Sequence, residues 1–62
     1  MTTGDRIRAM RRHACLTQEQ AAARIGITQS RWSAIEHPDT NHTVATLEKV
    51  AAALGCCVKD LV

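Results

Sequence analysis

The sequence predicts a small all-α domain of five short helices, with two of them packed around a tight central turn. Three observations predict it. Trp32 is the sole aromatic among 62 residues, so Ala, Leu, Ile and Val carry the apolar content, which suits closely packed helices better than strands. Threonine and glycine recur where helices begin and end. Between those markers the apolar residues fall at helical spacing.

The first helix is expected over about residues 4–14, with Thr3 as N-cap and Ile7, Met10 and Ala14 on one face. Leu16 anchors the break that follows. Thr17 caps a second helix over about 18–25, where Gln20 stands three residues on and can close a capping box. Gly26 ends that helix because it can take the left-handed conformation a sharp turn needs. Thr28 caps a third helix over about 29–36, and the polar run His37 to His42, with Pro38, reads as a loop. Thr43 caps a fourth helix over about 44–54, in which Val44, Leu47, Val50, Ala51 and Leu54 form an apolar stripe. Gly55 stops it, and Val58 to Val62 are expected to add one more helical turn.

Length and composition narrow the function classes. Residues 1–62 are expected to form a single domain, and so short a chain buries only about 60% of its unfolded surface. No stretch approaches the roughly 18 apolar residues of a membrane span. The N-terminal MTTGDRIRAM is charged where a signal peptide would be apolar, so a cytoplasmic location is expected. Cys15, Cys56 and Cys57 are odd in number and suggest reduced thiols rather than a disulfide framework. His13 and Cys15 are two apart, and Cys56 and Cys57 lack the spacer of a zinc knuckle, so no metal site or cofactor is expected. With no carboxylate pair, glycine-rich phosphate loop or nucleophile motif, the sequence reads as non-enzymatic. Charge is unevenly spread: residues 1–35 carry six Arg against two acids, and residues 36–62 carry two Lys against four. Every Arg lies in the basic part, and Arg is the side chain best shaped for phosphate and guanine.

The central pair of helices is the most informative feature. Only Gly26 and Ile27 separate the end of one from the cap of the next, which forces a steep crossing and demands small residues at the contact. Ala21, Ala22 and Ala23 supply them, and Ile25, Ile27, Trp32 and Ile35 close the wedge. The outer face of the third helix keeps Gln29, Ser30, Arg31, Ser33 and Ala34, short or hydrogen-bonding side chains that let a helix sit deep in a groove.

The run LTQEQAAARIGITQSRWSAIE, Leu16 to Glu36, resembles the helix-turn-helix of the phage repressor and Cro family, also called Xre-like. Gln18 opens the helix, Ala22 is the small crossing residue, Gly26 the turn, Trp32 and Ile35 the inward positions, and Glu36 the close. TVATLEKVAAALGCCVKDLV resembles the family's last two helices, so the similarity covers nearly the whole chain. The resemblance implies a compact five-helix, lambda-repressor-like fold of prokaryotic or phage origin. It implies a transcriptional regulator, in the main a repressor, that binds a palindromic or near-palindromic duplex DNA operator as a homodimer.

Site roles follow from the same resemblance. Gln18 is expected to contact a phosphate and brace Gln29. Gln29 and Ser30, followed by Ala34, are similar to the recognition helix of lambda-type repressors, where they meet adenine, guanine and a thymine methyl. Arg31 is expected to reach a guanine or a flanking phosphate, and Ser33 shares its face. Thr17, Thr28 and Asn41 join Gln18 as implied phosphate contacts. Arg11 and Glu36 stand where the family forms an ion pair between the first and third helices. Cys57, Val58, Leu61 and Val62 are candidates for a dimer interface, with Cys57 available for oxidative cross-linking near a two-fold axis.

Departures from the family pattern are informative too. The loop His37-Pro38-Asp39-Thr40-Asn41-His42 has no fixed positive charge, so it should attract phosphate weakly. That feature also suits the alternative of an antitoxin whose surface grips a toxin protein. Trp32 is larger and Ala21 smaller than usual, and the indole is expected to fill the space vacated at Ala21.

Overall fold

A computed structural model describes residues 1–62. The chain forms four α-helices, α1 (Thr3–His13), α2 (Gln18–Arg24), α3 (Gln29–Glu36) and α4 (Val44–Leu54), and no strands. The expected fifth helix is a single 3₁₀ turn, Val58–Asp60. Its i→i+3 bonds, Asp60 N to Cys57 O and Leu61 N to Val58 O, wind the chain tightly enough to turn Leu61 inward. None of the helices is long and apolar enough to cross a membrane.

All four α-helices begin the same way. Thr2, Thr17, Thr28 and Thr43 each sit in extended backbone and accept the N–H three residues on, at 3.0–3.1 Å. Asp5 and Gln20 complete capping boxes at α1 and α2 by accepting the N–H of Thr2 and Thr17. The first cap is therefore Thr2, one residue before the expected Thr3, because only Thr2 has an acid three residues ahead.

Three helices also end alike. After α1, α2 and α4 the chain passes through left-handed backbone at Cys15 (φ 60°), Gly26 (φ 70°) and Gly55 (φ 70°). In each case the next residue donates back five positions: Leu16 to Arg11, Ile27 to Ala22 and Cys56 to Ala51. This closure satisfies carbonyls that the helix end leaves free. At Gly26 it separates α2 from α3, and the two helices pack against each other.

The core gathers α2 and α3 against α1 and α4. Ile7, Ala21, Trp32, Val50 and Leu61 have no exposed surface, and Ala22 has 1%. Trp32 and Ala21 are both fully enclosed members of one buried cluster. Leu61 belongs to this core and not to a free surface, which removes it from the candidate dimer residues; Val62 stays exposed and Val58 half-buried. The half-buried Cys56 packs on the same cluster, and burial, with the nearby Asp60 and Cys57, pushes its thiol pKa up.

Candidate nucleic-acid interface

Helix α3 has two unlike faces. Trp32, Ile35 and Glu36 are buried, while Gln29, Ser30, Arg31, Ser33 and Ala34 are all exposed. Buried glutamate is rare unless paired, and Glu36 is heavily paired. Its Oε2 accepts from Arg11 Nε at 2.5 Å and from Trp32 Nε1 at 2.6 Å. Its Oε1 accepts from Gln18 Nε2 at 3.1 Å and from Arg8 Nε and Arg11 Nη2 at 3.4 Å. Arg11 spends another donor on the Leu16 carbonyl at 2.8 Å. One carboxylate thus ties α1 and α2 to the last turn of α3.

Burial alone would push the Glu36 carboxyl pKa up. Hydrogen bonds from Arg11, Trp32 and Gln18, with the Arg11 charge, outweigh that and hold it below its ordinary value. The anion is consequently the folded state's form.

Gly4 lets this junction close. A Cβ at residue 4 would stand 2.6 Å from the Glu36 carbonyl oxygen and 2.9 Å from that of His37. Helix α1 therefore lies directly on the backbone that ends α3.

That same end is finished from the other side by the loop. Thr40 Oγ1 donates to Ala34 O and His42 Nε2 to Ile35 O, both at 2.6 Å. A carbonyl only accepts, so the Nε2 of His42 carries a proton. Neither the loop's threonine nor its histidine stood out in the sequence as a helix cap.

The structure departs from the resemblance at Gln18. Its amide N–H₂ turns to Glu36 and not to Gln29, because a carboxylate oxygen is a stronger acceptor than a second amide. Gln29 consequently has no partner within the chain. Thr17 and Thr28 use their hydroxyl oxygens as caps and keep the hydroxyl proton free at the N-termini of α2 and α3. Asn41 is exposed in the loop beyond α3. The partners of Glu36 beyond Arg11 were legible only as spacings: Arg8 precedes Arg11 by one turn, and Trp32 precedes Glu36 by four residues.

Comparison with known proteins agrees with this architecture. A family profile described as a helix-turn-helix domain matches residues 3–61. The immunity repressor protein of Bacillus phage phi105 is 42% identical over 62 residues, all of this chain but 43% of the repressor. The chain thus spans less than half of that relative's length. An uncharacterized HTH-type transcriptional regulator, y4dJ, of Sinorhizobium fredii is 41% identical over 95% of the chain and 77% of its own length. Among solved structures, the restriction-modification controller protein C.AhdI from Aeromonas hydrophila superposes with a TM-score of 0.87 at 28% identity, covering 97% of this chain and 87% of that one. With two helices packed against each other around Gly26, a polar exposed face on the second, and relatives of this kind along its whole length, the chain belongs to the Xre-like helix-turn-helix family of DNA-binding transcriptional regulators.

Proposed function

We propose that residues 1–62 act as one sequence-specific reader of duplex DNA that lays α3 in a major groove and regulates transcription, as a repressor. The carrying observation is the asymmetry of α3. Its inner face is locked by the Glu36 network, while its outer face presents Gln29, Ser30, Ser33 and Ala34 with no acidic group among them. An amide such as Gln29 offers a donor and an acceptor in one plane, matching adenine N7 and N6. Gln18, Thr17, Thr28 and Asn41 would position the domain through phosphates. Gln18 can still do so, because Glu36 takes one hydrogen of its amide N–H₂ and the second remains.

The domain would work as a homodimer on a palindromic or near-palindromic operator, with recognition helices about 34 Å apart. Exposed Val62 and Cys57 with half-buried Val58 offer the self-association surface. Selection of bound sites from random duplex DNA tests all of this at once. Recovery of paired half-sites about one helical turn apart is the expected result. Failure of any duplex to compete for the protein at low salt overturns DNA reading. The loop His37 to His42, lacking a fixed positive charge, favours a second reading as an antitoxin. Tight complex formation with a coexpressed toxin, with no selected DNA motif, would establish it.

A further inference from the structure

The exposed side chains of α3 span a wide arc whose two edges have different surroundings. At about 100° per residue, Gln29 and Arg31 stand at the two edges of the exposed arc, roughly 200° apart across the outer face, with Ser33, Ser30 and Ala34 between them. Gln29 also opens the helix, at the end that dips toward base edges in this kind of docking. Arg31 belongs to the opposite flank, which faces the loop. There it lines a cavity of about 260 Å³ between α3, the loop and Thr46 of α4.

The polar groups around that cavity can be accounted for one by one. Thr40 is spent on the Ala34 carbonyl and the His42 Nε2–H on that of Ile35. Thr46 Oγ1 accepts from Thr43 and retains its own proton. The Arg31 guanidinium and the Asn41 side-chain amide have no partner within the chain. No carboxylate lines the cavity. What remains is a set of donors, headed by a planar fork of N–H groups, around a space wide enough for a tetrahedral anion.

We infer that Arg31 is a backbone clamp and not a base reader: with Asn41 across the cavity, it holds one phosphate of the duplex at the wall of the groove. This rests on the proposal that α3 enters a major groove, and it assigns base choice to Gln29, Ser30, Ser33 and Ala34 alone. The bare loop then ceases to be a gap in the phosphate-binding surface, because the missing positive charge comes from the helix beside it.

The test is equilibrium binding of a selected operator and a scrambled duplex between 50 and 200 mM salt, for wild type, Arg31→Ala, Arg31→Lys and the double variant Arg31→Ala/Asn41→Ala. Arg31→Ala is expected to weaken both duplexes by the same factor, roughly tenfold at low salt. Its log–log salt dependence should be shallower by about 0.9, the signature of one lost phosphate contact. Arg31→Lys should keep the salt slope while recovering only part of the affinity. The double variant should lose less than the product of the single losses, since both groups hold one phosphate. Relaxed choice at one operator position, with scrambled binding and slope unchanged, would make Arg31 a base reader and overturn the clamp. Independent, multiplying losses in the double variant would overturn the shared phosphate. Wild-type protein that binds no duplex at all would instead remove the underlying proposal, an outcome separable from either.

Discussion

The inner and outer faces of α3 follow opposite rules. Inward, an ionised carboxylate without exposed surface is surrounded by donors from three helices, and no buried side-chain polar atom in the chain lacks a partner. Outward, five consecutive-turn positions carry side chains that make no hydrogen bond within the chain. A helix of eight residues is marginal on its own, so the inner face has to supply its orientation. Polar groups left unpaired on the outer face are satisfied by water in the free protein and stay available to a ligand. The contrast teaches that a buried charge here serves alignment, with stability following from completeness of its hydrogen bonds.

The largest break in that contrast comes from Glu36→Ala. It leaves Arg11 and the Trp32 N–H buried without their acceptor and should cost about 3–5 kcal/mol, enough to unfold most molecules of a domain this size. Urea denaturation followed by circular dichroism measures it. The same network predicts acid lability. Because Glu36 titrates lower in the folded state than in the unfolded chain, its contribution is complete above about pH 4.3 and disappears as pH falls further. A melting temperature that stays level as pH drops from 5 to 3 would contradict the network.

Gly4→Ala comes next. The added methyl meets backbone oxygens that cannot rotate away, so a loss of about 1–3 kcal/mol is expected, and chemical shifts of Glu36 and His37 should move with it. Cys15→Gly should act in the opposite direction. A non-glycine residue at φ 60° costs about 1–2 kcal/mol, partly offset by the looser unfolded chain, so thermal melting should show a gain of under about 1 kcal/mol. Smallest in stability is Gln29→Ala, expected to change unfolding free energy by less than about 0.5 kcal/mol. On a selected operator the same variant should lose about 1–3 kcal/mol of discrimination. Equal losses on all duplexes would instead make Gln29 a backbone contact.

Local chemistry explains which parts of this were legible in the sequence. Thr17, Thr28 and Thr43 as caps, Gly26 and Gly55 as stops and the apolar stripe of α4 each depend on a few neighbouring residues, and α2, α3 and α4 lie within a residue of the expected bounds. Thr2 was displaced by its neighbour Thr3, although the Thr2–Asp5 spacing is itself a capping-box signal. Cys15 hid a left-handed turn because nothing in a cysteine announces one. The 3₁₀ turn replaced a fifth helix because burying Leu61 mattered more than helical hydrogen bonding over three residues. At the site, the outward set of α3 followed from its period. The convergence of Gln18, Arg8 and Trp32 on one carboxylate did not, since it depends on how α1 and α2 settle against α3.

Trp32 is the chain's single aromatic side chain, fully enclosed and bonded through its indole nitrogen to Glu36. Its ultraviolet emission therefore originates at the back of α3, away from anything that docks on the front. Adding DNA cannot quench it by stacking, so a spectral shift on titration would report a tilt of the helix itself. The molecule carries an unlabelled optical gauge for whether recognition is rigid or adaptive.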